Sequence, residues 1–321
     1  MSIDRPTRRD GRSGEIDPTH EAVRYMSGTE TFTFSGRDGT AVTAYRWLPH
    51  DREEVRGIVQ LTHGMGEHAL RYVALAAALT GRGFAVYAQD HRGHGATAGG
   101  PEGYGVLGDD GWDQLVADIG VLSAQAREEQ PGVPLVLLGH SMGSFAVQQY
   151  LVADAPPPDA VVLSGTAVLD LMEQGLDLSV PMDLSSFNAP FEQRTGYEWL
   201  SRDTAQVDAY VGDARCGFGI DLPGTRAMFE RARPLADAGT LRRIPGGLPV
   251  HVVVGDEDPV NGGLALVRPL TERYAAAGMH DVTLRIWPGA RHEVFNETNR
   301  DEIVAELLTW LDRVVPDTRS H

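Results

Sequence analysis

The sequence predicts an α/β protein whose core is a mostly parallel, doubly wound sheet with helices on both faces. Short continuous apolar runs, typical of strands buried on both sides, alternate with segments in which apolar residues recur at helical spacing. Strands that alternate with helices in this way form a parallel sheet through right-handed crossovers. The 321 residues, 42% of them hydrophobic, suffice for one large domain with an insertion or for two ordinary domains.

The first elements are a predicted hairpin followed by alternating strands and helices. Residues 31–34 and 41–47 alternate between apolar and polar side chains, and Arg37-Asp38-Gly39 between them has the composition of a turn. We expect this antiparallel hairpin at one edge of the sheet. The next strands and helices are predicted at residues 57–61, around 72–79, at 84–88 and around 112–122, the last with Asp109 or Asp110 as its N-cap.

A serine lies between the next predicted strand and helix. The apolar run at residues 134–138 leads into Gly139-His140-Ser141-Met142-Gly143, and apolar residues at helical spacing follow at once. A serine in so sharp a turn takes a strained backbone conformation, and the flanking glycines remove Cβ atoms that would collide there. The hydroxyl of Ser141 is then exposed at a helix N-terminus, which makes Ser141 the candidate nucleophile.

The alternation of strands and helices stops after a strand at residues 160–164. Residues 167–243, here called the inserted segment, contain only short helical patterns, at about 199–211 and 225–236. The alternation resumes with elements at residues 250–254, 264–276, 282–286 and 303–311. The predicted organisation is a disordered segment at 1–28, a core formed by 29–166 and 244–316, and a mainly helical cap (lid) at 167–243.

Two strand ends in the second half carry the partners that a nucleophilic serine requires. A serine hydroxyl needs a neutral imidazole beside it and a carboxylate that orients this imidazole. In open α/β sheets such groups lie just beyond the carboxyl ends of the strands. Asp256 and Asp258 follow one strand and His292 follows another. Spacing alone leaves both aspartates open as the acid.

Four motifs resemble those of the monoacylglycerol lipase and lysophospholipase-like α/β-hydrolases. They are His63-Gly64-Met65-Gly66-Glu67-His68, Asp90-His91-Arg92-Gly93-His94-Gly95, Gly139-His140-Ser141-Met142-Gly143 and His292-Glu293-Val294-Phe295-Asn296-Glu297. The resemblance covers about residues 30–315 and implies an α/β-hydrolase fold and a serine carboxylic-ester hydrolase. The sequence departs from the family pattern at Ser144, where glycine is common. The resemblance is weak in the inserted segment.

The resemblance also implies a role for each site residue. Ser141 is the nucleophile, Asp258 the acid and His292 the general base, in the chain order of this fold. The backbone amides of Met65 and Met142 are implied to form the oxyanion hole. This agrees with the physical expectation that two amides converge on one oxygen at the residue after the nucleophile and in the loop after the third strand.

Composition limits the partners that we expect. The formal net charge of −17 opposes binding to nucleic acid and to anionic membrane surfaces, and no stretch is apolar enough for stable membrane insertion. All cationic side chains are arginine, which excludes a lysine base and suggests a GC-rich bacterial genome. The single cysteine, Cys216, and a first segment without an apolar signal region favour a cytoplasmic protein. The oligomeric state stays open.

Five histidines lie in glycine-rich loops, where a metal site could be suspected: His63, His68, His91, His94 and His140. They have neither the helical nor the thiolate context of a metal site. We therefore expect them to pack and hydrogen-bond within loops, and we expect no metal and no cofactor.

The expected function is hydrolysis of small neutral monoesters, monoacylglycerol-like or similar short-to-medium-chain esters, through an acyl-enzyme. The same triad would serve a thioesterase, a lactonase or a proline-type aminopeptidase. An aminopeptidase needs an acidic group for the substrate amine, which Glu173, Asp177 or Asp183 could supply. A third alternative, a non-catalytic binding protein of the same fold, is disfavoured by the complete triad.

The first half of the inserted segment combines apolar side chains with acidic ones. Asp170 joins the three acids just named, and no cation occurs before Arg194. We expect this charge to repel phosphate headgroups and to favour neutral esters. The side chains predicted to line an acyl tunnel are Leu169, Leu171, Met172, Leu176, Leu178, Val180, Met182, Leu184 and Phe187.

Overall fold

One eight-stranded sheet organises the computed structural model, which describes residues 28–50 and 55–316. The strands are β1 (Thr29–Ser35), β2 (Ala41–Trp47), β3 (Gly57–Thr62), β4 (Phe84–Gln89), β5 (Leu135–His140), β6 (Ala160–Ser164), β7 (Val250–Gly255) and β8 (Val282–Trp287). Residues 1–27, on which the predicted disordered segment falls, lie outside the described residues.

Helices cover both faces of this sheet. The α-helices are α1 (Val73–Thr80), α2 (Gly111–Glu129), α3 (Met142–Tyr150), α4 (Leu169–Met172), α5 (Thr204–Gly212), α6 (Leu222–Ala232), α7 (Ala238–Leu241), α8 (Arg268–Ala276) and α9 (Arg300–Val314). Single 3-10 turns lie at Ala69–Tyr72, Pro101–Gly103, Glu173–Gly175, Leu184–Asn188, Glu198–Leu200, Arg233–Ala236, Pro259–Asn261 and Val294–Asn296. None of the helices in the described ranges has the length and apolarity that crossing a bilayer requires.

The strand order is β1-β2-β4-β3-β5-β6-β7-β8. The pairs β1–β2 and β2–β4 are antiparallel and the other five pairs are parallel, which confirms the mostly parallel sheet with a hairpin at one edge. In register, Thr62 lies opposite Gly139, and His140 lies opposite Ser164. The carboxyl ends of the central strands therefore meet at one edge, where the loops that carry the chemistry begin.

The central strands are apolar throughout because both of their faces are buried. Every residue of β3, β4, β5 and β7 is buried, whereas the edge strand β8 has partly exposed positions in alternation. On one face, Trp112 and Ile119 of α2 pack with α3. On the other face, Leu79 of α1 packs with Leu307 and Leu311 of α9.

Three predicted helices have different bounds in the structure. The pattern at 199–211 is divided, because Ser201 is extended and the side chain of Asp203 accepts the Ala205 amide as the N-cap of α5. The pattern at 225–236 continues beyond α6 only as a 3-10 turn that contains a proline. The helix expected from 264 begins at Arg268, because Leu264 has a φ of +74°. A positive φ lies outside the right-handed helical region, so an α-helix cannot run through Leu264.

The N-cap of α2 is one of the two aspartates expected from the sequence. Asp110 occupies the N-cap position, but its φ is +49° and its side chain makes no capping hydrogen bond.

Residues 165–249, all of them described, contain helices and loops and no strand. This part of the chain connects β6 to β7 and includes the inserted segment.

Candidate active site

Ser141 occupies a strained turn between β5 and α3. Its φ of 50° and ψ of −123° lie outside the regions that residues with a side chain favour. The Ser141 amide donates to Ser164 O of the neighbouring strand at 2.9 Å, which holds the turn in place. A Cβ at Gly143 would collide with the carbonyl oxygens of Thr62 and His63, so only glycine lets α3 approach the end of β3 this closely.

Ser144, the departure from the family pattern, fits without loss of a hydrogen bond. It is fully buried, and its Oγ lies 2.6 Å from Ser141 O and 2.8 Å from Thr166 Oγ1. Thr166 Oγ1 also accepts a hydrogen bond from Gln148. The additional hydroxyl therefore links the serine turn to the start of the segment after β6.

The structure brings His292 to Asp258 and keeps it away from Asp256. Nδ1 of His292 lies 3.0 Å from Oδ2 of Asp258, and both side chains are buried. The other oxygen of Asp258 accepts the Val260 amide at 2.9 Å. Asp256 is exposed, and its carboxylate accepts the Gly289 amide. Spacing left two aspartates open, and only Asp258 has the geometry to orient the imidazole.

The surroundings of His292 act on its pKa in opposite directions. Burial disfavours the charged ring and lowers the pKa, but the charge of Asp258 and its hydrogen bond raise it. The carboxylates of Glu293 and Glu67 act in the same direction as Asp258. The net result is a pKa above the ordinary histidine value of 6.5. A neutral His292 whose Nδ1–H donates to Asp258 keeps the Nε2 lone pair free to accept a proton.

Ser141 and His292 line the same cavity. The hydroxyl of Ser141 makes no hydrogen bond to any residue in the described ranges, so it is free for a reaction partner. The His292 ring packs between His140 at 4.7 Å and Trp199 at 4.9 Å between ring centroids. The Ser141 hydroxyl therefore makes no hydrogen bond to His292 here. Such catalytic hydrogen bonds are often long without substrate and shorten in the complex.

The loop at residues 63–66 passes close to the serine. A Cβ added to Gly64 would lie 3.1 Å from Ser141 Cβ. The Gly64 amide donates to Glu67 Oε1 at 2.5 Å, and the Gly66 amide donates to His94 Nε2 at 3.1 Å. Among the hydrogen bonds of the described residues, none uses the amides of Met65 or Met142. Both residues line the cavity that Ser141 also lines, so their N–H groups remain candidates for the oxyanion hole.

The histidines that follow β3 and β4 hold these loops together. Nε2 of His63 accepts the His91 amide at 2.9 Å, and its Nδ1 lies 2.8 Å from Gly64 O. Nδ1 of His94 lies 2.8 Å from Arg92 O, so His94 carries its proton there and accepts from Gly66 at Nε2. Burial lowers the pKa of His63 to about 4 and that of His94 to about 3. Both rings are therefore neutral at pH 7.

One trio in the described part of the chain brings three candidate metal ligands together. Ligand atoms of His68, Asp213 and Cys216 lie within 4.8 Å of one another. The Asp213 carboxylate already binds the Arg215 guanidinium at 2.7 and 3.0 Å, and burial raises the pKa of the Cys216 thiol to about 12. A neighbouring positive charge and a protonated thiol both oppose cation binding.

The cavity has an apolar lining and an empty volume of about 540 Å³, which includes space open to solvent. Four of the nine predicted tunnel residues line it: Met172, Met182, Leu184 and Phe187. Val180 is instead exposed, and Leu169 is buried in the core. The second half of the inserted segment supplies lining residues that the sequence did not single out: Trp199, Leu200, Tyr210, Met228 and Phe229.

The acidic residues considered for a substrate amine lie elsewhere. Glu173, Asp177 and Asp183 are absent from the cavity lining, all three being among the described residues. Glu173 binds Arg233, and the other two accept hydrogen bonds from nearby serines. Asp170 binds Arg273 through two hydrogen bonds. The acidity expected of the inserted segment is therefore partly neutralised by arginines.

Two carboxylates that the sequence did not assign to the site do line the cavity, namely Glu67 and Glu293. Arg71 binds both: its Nη1 lies 2.6 Å from Glu67 Oε2 and 2.5 Å from Glu293 Oε1. Burial alone would raise the pKa of Glu67, but Arg71 and neighbouring donors bring it down to about 2. Both glutamates stand inside the family-like motifs at residues 63–68 and 292–297, the signal that could have identified them.

Comparisons with known proteins agree with this arrangement. Residues 53–299 match the family described as "Serine aminopeptidase, S33". A monoacylglycerol lipase of Mycolicibacterium smegmatis is 32% identical over 289 residues, which cover 87% of this chain and 95% of the relative. A monoglyceride lipase of Mus musculus is 29% identical, over 85% of this chain and 88% of the relative.

A solved structure shows the same architecture. The thermostable carboxyl esterase from Bacillus coagulans, in complex with glycerol, superposes with a TM-score of 0.79 at 26% identity. The superposition covers 90% of this chain and 99% of the esterase.

Proposed function

The chain belongs to the serine aminopeptidase S33 family of α/β-hydrolases and is a carboxylic-ester hydrolase similar to monoacylglycerol lipases; from this premise we propose that it cleaves small neutral monoesters through an acyl-enzyme on Ser141. The main support is the arrangement of Ser141 and the His292–Asp258 pair around one apolar cavity. The proposed catalytic residues are Ser141, Asp258 and His292.

In the proposed acylation step, Nε2 of His292 accepts the Ser141 proton while Oγ attacks the ester carbonyl carbon. The negative charge that develops on the carbonyl oxygen is stabilised by the free amides of Met65 and Met142. When the tetrahedral intermediate collapses, the carbon–oxygen bond to the alcohol breaks and His292 gives its proton to the leaving alkoxide. Asp258 holds the ring and stabilises the imidazolium that forms in between.

Deacylation repeats these steps with water in place of the serine. His292 accepts a proton from water, the hydroxide attacks the acyl carbon, and the proton passes to the departing Ser141 oxygen. The apolar lining of the cavity strengthens the interactions of the oxyanion with both amides, because a low local dielectric weakens charges less than bulk water does.

The inserted segment, residues 167–243, is proposed to act as the cap that selects the substrate. Its side chains, from Met172 to Phe229, form much of the apolar lining next to Ser141. A lining of this kind suits an acyl chain. The names of the relatives, monoacylglycerol lipases, support a monoglyceride or a similar monoester as substrate.

The proposed preference for neutral esters rests on charges other than the acidic side chains of the inserted segment. Arginines neutralise Asp170 and Glu173, and neither residue lines the cavity. The acidic side chains in the cavity lining are Glu67 and Glu293, and Arg71 binds both. Two carboxylates and one guanidinium leave an excess of negative charge, which should repel a phosphate headgroup.

The serine assignment is tested with Ser141→Ala and a fluorophosphonate probe. The variant should fold normally and lose three or more decades of kcat, the typical result of removing a triad member. Mass spectrometry of the labelled wild-type protein should place the adduct on Ser141. Turnover by the variant at the wild-type rate, or an adduct on another residue, would contradict the assignment.

The substrate class is tested by comparing a monoglyceride with a lysophosphatidylglycerol of equal chain length at low salt. We expect a higher kcat/KM for the neutral ester, and a difference that shrinks as salt screens the repulsion. A preference for the anionic lipid would show that charge near Ser141 does not select the substrate.

The family description favours an aminopeptidase as the second candidate. Such an enzyme needs a free carboxylate for the substrate amine, and the two carboxylates in the cavity lining are bound to Arg71. Aminoacyl anilides should therefore be poor substrates next to p-nitrophenyl esters. Faster cleavage of the anilides than of the esters would make the aminopeptidase the better-supported function.

A further inference from the structure

Arg71 binds two carboxylates of the cavity lining. One, Glu67, lies in the loop after β3, and the other, Glu293, adjoins His292. Towards one side it binds Glu67, which also accepts the Gly64 amide at 2.5 Å and the Tyr72 hydroxyl at 2.7 Å. Glu67 thereby holds the loop that presents the Met65 amide. The Arg71 side chain is 10% exposed and that of Glu67 is 3% exposed, so water competes little for these bonds.

Towards the other side Arg71 binds the neighbour of His292. Its guanidinium donates to both oxygens of Glu293, at 2.5 and 2.8 Å. The Glu293 side chain also accepts from Asn296 at 2.9 Å, and its backbone amide donates to Leu200 O at 2.8 Å. A continuous chain of buried charge-assisted hydrogen bonds therefore runs from the Met65 loop to the segment that carries the general base.

We infer that Arg71 is a positioning residue that ties the loop bearing the Met65 amide to the segment bearing His292, while Glu293 tunes the charge that His292 experiences. The inference deepens the proposed function and rests on it. A bidentate arginine suits this task, because its planar fork fixes the orientation of a carboxylate as well as its distance.

The charges that face His292 come from several elements. Asp258 follows β7, His140 ends β5, Glu67 lies in the loop after β3, and Glu293 adjoins His292 itself. Burial, with the charge of His292, lowers the pKa of His140 to about 4, so His140 is neutral near pH 7. Glu293 and Glu67 both favour the protonated His292. Replacing Glu293 with its neutral isostere should therefore make His292 easier to deprotonate.

Two variants separate geometry from charge. Arg71→Lys keeps the charge and loses the fork, so it should lower kcat about tenfold with KM nearly unchanged, since loss of an oxyanion donor costs 10²–10³. Glu293→Gln removes one charge and keeps a hydrogen-bond acceptor, so it should move the acidic midpoint of kcat/KM down by about half a pH unit. kcat is normalised to the fraction of protein that the fluorophosphonate probe labels, which removes the contribution of unfolded protein.

Arg92→Lys is the matched control. Arg92 is 5% exposed and likewise bridges two carboxylates, Asp38 and Asp118. It lies outside the cavity lining, and its substitution should lower Tm while kcat per labelled site and the pH midpoint stay at wild-type values. A purely structural role for Arg71 would give its lysine variant this same result.

Two NMR measurements keep the inference testable if the wild-type protein hydrolyses no ester. In protein labelled with ¹⁵N-methionine, Arg71→Lys should shift the Met65 amide resonance and Arg92→Lys should leave it in place. The histidine side-chain titration assigned to His292 should move to lower pH in Glu293→Gln. An unmoved Met65 resonance with unchanged kcat per labelled site, or an unmoved His292 titration, overturns the corresponding half of the inference.

Discussion

At the scale of single residues, the site depends on which carboxylate is withdrawn from water. Asp258 and Asp256 are two positions apart, yet one is buried against His292 and the other is exposed. A buried carboxylate keeps its full electrostatic effect on the imidazole, whereas solvent screens an exposed one. Burial, more than position in the sequence, distinguishes the two.

Substitution of each aspartate by asparagine should therefore have unequal effects. Asp258→Asn should lower kcat by about 10⁴, because the amide no longer fixes the tautomer in which Nδ1 of His292 carries the proton. Asp256→Asn should lower kcat less than about tenfold, since it weakens only a hydrogen bond to Gly289. Steady-state kinetics of both variants decide the matter. The opposite order would transfer the acid role to Asp256.

The raised pKa of His292 sets the pH dependence of the reaction. His292 must be neutral to accept the Ser141 proton, and its pKa lies above 6.5 because the carboxylates around it outweigh burial. kcat/KM should therefore rise with pH and reach half its maximum above pH 6.5. A pH profile measured with a substrate that does not ionise checks this, and a midpoint below 6.5 would contradict the raised pKa.

At the scale of elements, the serine turn depends on how closely α3 approaches β3. Gly139 and Gly143 lie on either side of Ser141, and a Cβ at either position would collide with backbone atoms. The close approach places the first amide of α3 near the loop after β3. The two amides proposed to bind the oxyanion therefore depend on packing between one helix and one strand.

Gly143→Ala should disturb this packing. The new methyl group would meet the carbonyl oxygens of Thr62 and His63, so α3 must shift, at a cost of about 2 kcal/mol or more in the free energy of unfolding. Activity should fall as the Met142 amide moves. Gly212→Ala in α5 is the control, because nothing lies within 4 Å of its added Cβ. Equal stability and activity in the two variants would show that α3 tolerates the methyl group.

At the scale of the whole molecule, the site is surrounded by buried histidines that stay neutral. Burial lowers the pKa of His63 and His140 to about 4 and that of His94 to about 3. In the unfolded chain these rings titrate near 6.5. Below that pH the unfolded state binds more protons than the folded state, so the stability that these groups contribute above pH 6.5 is lost as the pH falls towards 4.

Acid should therefore destabilise the protein well before its carboxylates titrate. Between pH 6.5 and 4.5, each of these histidines should lower the free energy of unfolding by up to about 1.4 kcal/mol per pH unit. His94→Gln should reduce the slope. Urea unfolding at several pH values measures the slopes. A free energy of unfolding independent of pH in this range would contradict the prediction.

The sequence by itself determined the parallel sheet with its edge hairpin, because burial on both faces leaves continuous apolar runs that differ from helical periodicity. It also indicated Ser141 and His292, because a sharp strand-to-helix turn needs glycines at fixed spacing and because catalytic loops follow strand ends. Helix bounds were less predictable, since a positive φ at Leu264 and the cap at Asp203 interrupt otherwise regular patterns.

Spacing left two aspartates open and the family resemblance implied Asp258, which the tertiary structure places against His292. Only the tertiary structure decided which side chains of the inserted segment line the cavity, and that Arg71 joins Glu67 to Glu293. Glu293 is 222 positions from Arg71 in the chain. Local pattern carries information about neighbours along the chain, whereas burial and ion pairing depend on which distant segments fold against each other.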